Sequence, residues 1–302
     1  MPAAYLALAA SGELQQRIHA ARDMLSPCTL CPRQCRVNRL SDEKGFCRTG
    51  RLARVASHAP HFGEERPLVG HGGSGTIFFS ACNLACIFCQ NYDISHLAHG
   101  REVTTERLAA MMVDLQNSGC HNINFVTPTH VLPQILEALH LAINAGLTVP
   151  LVYNCGGYES IETLKLLDGV VDIYMPDAKY ADSAAAAELS NAPDYVRHMQ
   201  AALREMHRQV GDLQINAQGL AVRGLLVRHL VLPENLAGTA DTMQFIASLS
   251  ERTYVNVMDQ YRPCYRADAY APLCRGITPL EYEQAVRAAL DAGLTRLDGR
   301  LS

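Results

Sequence analysis

The fold of this chain is indicated by residues 75–89, which read GTIFFSACNLACIFC. A short apolar run, 75–79, is followed at once by Cys82, Cys86 and Cys89 in a C-x3-C-x2-C spacing. A run of this length and composition predicts a buried β-strand. Three thiolates on one short loop suit an iron–sulfur cluster, and a 4Fe–4S cube held by three cysteines leaves one iron open to a ligand that is not protein. The alternative is a zinc loop completed by a distant histidine or cysteine.

Similar apolar, β-branched runs recur along the chain, with helical patterns between them. The further runs are 122–127, 149–154, 170–175, 224–232 and 254–258. Six strand–helix units in series predict an α/β protein with a parallel sheet, either doubly wound or a partial (β/α)6 barrel of the TIM type. Both architectures place functional groups at the carboxyl ends of the strands.

Composition excludes several classes of protein. The 302 residues carry 26 Lys and Arg against 30 Asp and Glu, so there is no basic excess for nucleic-acid binding. No stretch of 18 uninterrupted apolar residues predicts a membrane-spanning helix. The 11 cysteines are an odd number in a sequence without an export signal, which argues against a disulfide framework. We therefore expect a cytoplasmic protein with no membrane partner.

A second cysteine group lies near the N-terminus, where Cys28, Cys31, Cys35 and Cys47 fall within twenty residues. Four thiols in a segment without its own core suggest a metal site, and zinc, a second iron–sulfur cluster and no metal all remain open. The predicted division of the chain is a helical and cysteine-rich N-terminal extension over 1–70 and the barrel over 71–302. The other four cysteines are expected to be free thiols: Cys120, Cys155, Cys264 and Cys274.

The loop FFSACNLACIFCQNYDIS, residues 78–95, resembles the signature of the radical S-adenosylmethionine (SAM) superfamily, including Phe88 directly before the last cysteine. Other segments are similar to one branch, the pyruvate formate-lyase activating enzyme-like proteins. The resemblance covers residues 28 to about 280 and is carried by CTLCPRQCRVNR, NFVTPTH, YNCGGYE, YMPDAKY, LLVRHLVLPENL and VNVMDQYRP.

The resemblance implies a six-unit partial barrel and a 4Fe–4S cluster whose open iron chelates SAM. It also implies reductive cleavage of SAM to a 5′-deoxyadenosyl radical that abstracts hydrogen, in this branch from a glycine of a glycyl radical enzyme. A low-potential cluster calls for a flavodoxin- or ferredoxin-type electron donor. The alternatives are radical modification of a small molecule or peptide, and a non-catalytic iron–sulfur or zinc protein for electron transfer or sensing.

The resemblance also suggests cofactor contacts. It implies that Phe88 lies near the adenine of SAM. The superfamily usually carries Gly-Gly-Glu after the second strand to hold the methionyl amine, whereas this chain has TPTH at residues 127–130. Thr127 and Thr129 are therefore the candidate hydroxyl acceptors, and His130 is a candidate for facing substrate.

Polar residues at the other strand ends complete the candidate site. Asp177 and Lys179 end the fourth strand and Arg228 lies on the fifth; we expect these three to be catalytic, because charges at barrel strand ends are costly without a purpose. Asn154, after the third strand, and Asp259, after the sixth, are candidates for binding SAM. The alternative for each is an ordinary surface or satisfied polar group.

Overall fold

The computed structural model describes residues 2–298, so Met1 and residues 299–302, the extremes of the two predicted segments, lie outside it. The strands in chain order are β1 (Ala53–His61), β2 (Ser74–Phe79), β3 (Arg101–Val103), β4 (Ile123–Val126), β5 (Leu151–Cys155), β6 (Ile173–Pro176), β7 (Gln214–Ile215), β8 (Ala221–Leu230) and β9 (Tyr254–Met258). The α-helices are α1 (Tyr5–Ser11), α2 (Glu13–Asp23), α3 (Arg66–Val69), α4 (Tyr92–Ser95), α5 (Thr105–Asn117), α6 (Leu132–Asn144), α7 (Ile161–Lys165), α8 (Ser183–Ser190), α9 (Tyr195–Val210), α10 (Thr239–Leu249) and α11 (Pro279–Asp291). None of these helices is long and apolar enough to cross a membrane.

Six of the strands pair in parallel in the order β2–β4–β5–β6–β8–β9. Each of them lies on one of the six predicted runs, and helices connect them. Within residues 2–298, β2 pairs with β1 and β4, whereas β9 pairs with β8 and bridges to Leu297, so the sheet stays open between β2 and β9. The predicted α/β partial barrel is thereby confirmed.

Two antiparallel strands extend this sheet beyond β2. β1 pairs with β2 from Val55–Phe79 to His61–Ser74, and β3 pairs with the outer side of β1. The sequence analysis missed β1, because the residues of 53–61 alternate irregularly between buried and exposed and include a proline, so no apolar run marks the strand. The proposed division at residue 70 therefore separates β1 from the strand with which it pairs.

The inside of the barrel is apolar toward the amino ends of the strands and polar toward their carboxyl ends. Its lower layer consists of buried apolar side chains that include Leu68 of α3, Val152, Ile173, Leu226 and Tyr254. Side chains alternate along each strand, so Asn154, Arg228 and Asn256, two positions further along β5, β8 and β9, face the same interior. The carboxyl end of the barrel is thus where the polar groups meet.

The short helix α3 closes the bottom of the open side. Glu65, just before α3, accepts a hydrogen bond from Asn256 Nδ2 of β9 at 3.0 Å. The Leu68 carbonyl accepts one from Asn122 Nδ2, next to β4, at 2.9 Å. Residues 65–68 therefore connect strands on the two sides of the opening.

The N-terminal helices, predicted over residues 3–25, are fastened to the barrel by hydrogen bonds. The Ala4 N–H donates to Asp172 Oδ1 at 2.8 Å, and the Leu151 N–H donates to Asp172 Oδ2 at 3.0 Å. Tyr5 Oη donates to the Val149 carbonyl at 2.9 Å. The Asp172 carboxyl thus joins α1 to the start of β5.

We expect Asp172→Asn to change how stability depends on pH. Burial raises the pKa of Asp172 to about 6, although the Leu151 and Ala4 N–H groups lower it. Because the folded chain favours the protonated acid, this side chain stabilises the fold most below about pH 4, and that stabilisation is lost as the pH rises through 6. The free energy of unfolding of the wild type, relative to Asp172→Asn, should fall by roughly 3 kcal/mol across this interval. Urea unfolding of both proteins at several pH values measures the difference, and parallel curves would contradict the expectation.

Candidate active site at the barrel mouth

The three-cysteine loop follows β2 and is held in place by backbone hydrogen bonds. The Ala85 N–H donates to the Ser190 carbonyl at 3.1 Å, and the Ile87 N–H donates to the Leu189 carbonyl at 2.9 Å. The loop therefore runs along the end of α8, and its conformation depends on backbone contacts that need no metal. Cys86 is buried, and Cys82 and Cys89 are half-buried.

Polar groups surround the three sulfur atoms. Ser190 Oγ donates to Cys86 Sγ at 2.9 Å, the Leu84 N–H donates to Cys82 Sγ at 3.4 Å, and Ser95 Oγ lies 3.1 Å from Cys89 Sγ. Donors of this kind stabilise sulfur that carries negative charge. The loop is therefore prepared for thiolates.

The buried thiols of the loop need a positively charged partner if they are to ionise. Burial and the neighbouring Cys86 thiol raise the pKa of Cys82 to about 12, although the Leu84 N–H group opposes the rise. Burial also raises the pKa of Cys86, and Lys179 opposes the effect. Within residues 2–298 no three His, Cys, Asp or Glu side chains are arranged around a single metal ion. Three adjacent thiols on one loop instead fit a 4Fe–4S cluster in chemistry and number.

A network of charged side chains lies at the neighbouring strand ends. Lys179 Nζ is 2.6 Å from Asp177 Oδ2, and Arg228 Nε donates to Asp177 Oδ1 at 2.9 Å. Arg228 Nη2 donates to Asn154 Oδ1 at 2.7 Å. Burial raises the pKa of Asp177, but Arg228 and Lys179 outweigh it and hold that pKa below its usual value. The structure thus brings together four of the residues singled out from the sequence.

Tyr195, which the sequence analysis did not single out, fixes the backbone beneath this network. Its hydroxyl donates to the Asp177 carbonyl at 2.8 Å and the Gly156 carbonyl at 2.9 Å, and accepts from the Lys179 N–H at 3.0 Å. Gly157 adopts a φ of +78°, and a Cβ there would lie 2.2 Å from the Asp177 carbonyl oxygen. Only glycine allows this close approach. The turn after β5 therefore determines where Asp177 lies.

The TPTH segment is mostly engaged inside the protein. Thr129 is buried, and its hydroxyl donates to Glu159 Oε1 at 2.7 Å. His130 is also buried, with Nε2 2.8 Å from the Ser80 carbonyl oxygen. Thr127 remains half-exposed with a φ of +60°, and its N–H donates to the Asn154 carbonyl. Of the segment's candidate residues, Thr127 is the one with an accessible side chain next to Asn154.

Phe88 and Asp259 lie at opposite extremes of exposure. Phe88 is buried edge-on between Tyr180 and Tyr261, at ring-centroid distances of 6.5 and 6.0 Å. Asp259 is exposed beyond the end of β9. Their predicted contacts with SAM stay predictions.

A cavity of about 580 Å³ opens at the carboxyl end of the barrel. Asn154 and Arg228 contribute to its wall, as do Asn256 and Gln260 of the sixth parallel strand and the loop after it. Glu64 and Glu65 also line it. The sequence analysis missed both glutamates, because they precede the first apolar run and lie in a segment without strand or helix periodicity.

The four N-terminal cysteines meet around a second, much smaller cavity. Cys28, Cys31, Cys35 and Cys47 all line it, together with His130. The Phe46 N–H donates to Cys35 Sγ at 3.3 Å, and burial raises the pKa of Cys31. The segment also contacts the three-cysteine loop, since Arg33 Nε donates to the Asn83 carbonyl at 2.9 Å. The four residues thus line one cavity, and whether they hold zinc, a second cluster or no metal stays a prediction.

Comparison with known proteins agrees with this arrangement. The family model of the radical SAM superfamily matches residues 76–246. An uncharacterized protein of Methanocaldococcus jannaschii is 32% identical over 285 residues, which are 91% of this chain and 78% of that protein. The crystal structure of HydG, a maturase of the FeFe-hydrogenase, superimposes with a TM-score of 0.51 at 12% identity and covers 74% of this chain. This chain spans half the length of HydG, and the likeness concerns the fold alone.

Proposed function

The chain belongs to the radical SAM superfamily, and we propose that it cleaves SAM reductively and directs the resulting radical at a substrate held in the barrel cavity. Membership of the superfamily implies a 4Fe–4S cluster, SAM and a source of electrons. The observation that carries the proposal is the position of the Asp177–Lys179–Arg228 network, in which Lys179 lowers the pKa of Cys86 in the cysteine loop and Arg228 lines the cavity.

Each part of the site has a proposed role. Cys82, Cys86 and Cys89 hold the cluster, which when bound supplies the electron that splits SAM into methionine and a 5′-deoxyadenosyl radical. Arg228 offers its guanidinium to the SAM carboxylate, because a guanidinium pairs with a carboxylate through two hydrogen bonds. Lys179 offsets the negative charge of the thiolates.

Asp177 positions both cations, since each of its carboxylate oxygens holds one of them. Asn154 orients Arg228 from the other side and leaves its own amide nitrogen available to SAM. Thr127 is the proposed hydroxyl ligand next to it, and Phe88 with its two tyrosine neighbours keeps water from the loop. Asp259 is proposed to contact the cofactor from the end of β9.

Two classes of substrate remain candidates. Activation of a glycyl radical enzyme, by removal of hydrogen from a backbone glycine, rests on the sequence resemblance alone. Radical modification of a small molecule or a peptide side chain is favoured by the cavity of about 580 Å³, which lies within the usual range for small-ligand pockets. The proposed electron donor is of the flavodoxin or ferredoxin type.

The test is formation of 5′-deoxyadenosine. Protein reconstituted with iron and sulfide under anaerobic conditions, then supplied with SAM and dithionite, should release 5′-deoxyadenosine and methionine in equal amounts, measured by liquid chromatography and mass spectrometry. Omitting dithionite should reduce both products to background. An intact cluster that yields no 5′-deoxyadenosine would show that the protein is a carrier or sensor instead.

A further inference from the structure

The lower wall of the barrel cavity carries an excess of acidic groups. Among the described residues that line the cavity, Glu64, Glu65 and Asp298 carry carboxyl groups, and Arg228 is the one lysine or arginine. Arg228 pairs with Asp177 through Nε at 2.9 Å and with Glu64 through Nη1 at 4.0 Å, so one cation serves both carboxylates. The carboxyl groups of the cavity wall therefore outnumber its lysines and arginines.

Glu65 is the most informative of these groups. Its side chain is 5% exposed, and Oε1 accepts a hydrogen bond from Asn256 Nδ2 at 3.0 Å. Its other oxygen, Oε2, is buried and has no hydrogen-bond partner. A buried carboxylate oxygen without a partner costs the protein free energy, and such a cost is commonly retained where a ligand completes the pairing.

Asn124 provides a second, independent indication. It is fully buried on β4, its Oδ1 has no hydrogen-bond partner, and its amide N–H group faces the Glu64 carboxylate. Val126, two residues further along the same strand, lines the cavity, so Asn124 faces the same interior. Asn124 also lies near enough to Glu64 to lower the pKa of that carboxyl.

The surroundings of Glu64 are consistent with missing positive charge. Burial, reinforced by Glu65, raises the pKa of Glu64 to about 7, although Arg228 opposes the rise. His61 lines the same cavity but packs edge-on against Phe78, at a ring-centroid distance of 5.9 Å. Asp298 is occupied as the acceptor of the Tyr254 hydroxyl at 2.6 Å. Glu65 is thus the acid with an unpaired oxygen, and it lies next to Glu64, which shares Arg228 with Asp177.

We propose that Glu65, together with Glu64 and Asn124, binds a protonated amine or guanidinium group of the substrate. A charged N–H donor placed there would bond Glu65 Oε2 and Asn124 Oδ1 and offset the carboxylates. Arg228, the proposed partner of the SAM carboxylate, lies 4.0 Å from Glu64, so a substrate anchored at the acids by its cationic end would lie beside SAM. The inference rests on the proposed function, because it names the substrate class of that same site.

The test uses n-pentylammonium chloride as the probe and 1-pentanol as its neutral match. Binding to the reconstituted protein with SAM present is measured by calorimetry and by the shift in melting temperature, against sodium chloride at equal concentration. We expect the wild type to bind the ammonium at least about tenfold more tightly than the alcohol, the range expected for one charge-assisted hydrogen bond in a buried site. Equal binding of the two probes, or binding of neither, would overturn the inference.

Single substitutions show which residues are responsible for the preference for the ammonium probe. Glu65→Gln should abolish the preference for the ammonium, and Glu283→Gln, an exposed glutamate on α11, should keep it. Should Glu65→Gln fail to fold, Asn124→Leu removes the unpartnered Oδ1 and should weaken ammonium binding. If Glu65→Gln instead weakens SAM binding and leaves the ammonium unaffected, the acidic pair serves the cofactor and the inference is wrong.

The outcome is separable from that of the proposed function. Formation of 5′-deoxyadenosine by a wild type that does not distinguish the two probes would leave the proposed reaction standing and remove the substrate class alone. Ammonium binding by a protein with an intact cluster that does not cleave SAM would remove the proposed reaction.

Discussion

Replacing Cys86 by alanine is expected to abolish both cluster assembly and SAM cleavage. Cys86 is the middle ligand of the three and the most buried, and its sulfur accepts a hydrogen bond from Ser190 Oγ. The two remaining thiols cannot hold a cube that must also keep one iron open for SAM. Iron and sulfide content, the visible absorption of the cluster and the yield of 5′-deoxyadenosine should all fall to background at the barrel site.

Two matched cysteine variants serve as controls. Cys120→Ala removes a buried thiol behind β4 and should leave the cluster and its activity unchanged. Cys31→Ala removes a ligand of the N-terminal group, and the spectroscopic signature of the SAM-binding cluster should persist. Loss of that signature in Cys31→Ala, with its retention in Cys86→Ala, would show that the two cysteine groups have been assigned the wrong way round.

The second large effect is expected from Asp177→Asn. This carboxylate holds Lys179 and Arg228 at 2.6 and 2.9 Å, and its removal takes from two mostly buried cations their shared counter-charge, leaving Arg228 with Glu64 at 4.0 Å. Breaking a buried ion pair in this way typically costs about 3–5 kcal/mol of stability. Displacement of Arg228 from its position should also lower the rate of SAM cleavage by roughly 100-fold.

The control for this variant is Asp168→Asn. Asp168 pairs with Arg208 at 2.7 Å on the surface, where both side chains are well exposed, so its loss should change stability by less than about 1 kcal/mol. The unfolding midpoint in urea, the dissociation constant of SAM and the rate of 5′-deoxyadenosine formation are compared for the three proteins. A variant at Asp177 that binds and cleaves SAM like the wild type would show that the network only stabilises the fold.

The parallel strands were predictable because they are buried on both faces. Such strands read as continuous apolar runs, and all six predicted runs became strands of the barrel. The start of α11 is also marked in the sequence, because Thr278 and Glu281 have the spacing of a capping box and form one in the structure. β1 escaped because it is covered on one face only, so its residues carry no uniform apolar signal.

The residues of the candidate site were likewise predictable only where they adjoin a strand with a continuous apolar sequence. Asp177, Lys179 and Arg228 could be singled out because they directly adjoin strands that are legible in the sequence. Glu64 and Glu65 could not be singled out. They directly precede α3, and the position of α3 at the barrel depends on contacts distant in sequence, such as Leu68 with Tyr254. For Thr129 the sequence predicted the end of the strand but not the direction of the side chain, whose hydroxyl donates to Glu159 inside the protein.

The open side of the barrel determines which truncated forms of this protein can fold. β1 covers the outer edge of β2, and residues 65–68 fill the base between β2 and β9, so residues 53–68 supply parts of the barrel itself. A fragment starting at residue 71 would leave a hollow that water fills and a bare strand edge prone to aggregation. Truncated, fused or circularly permuted forms of the protein should therefore fold only if they keep the residues before 71 together with the rest of the barrel.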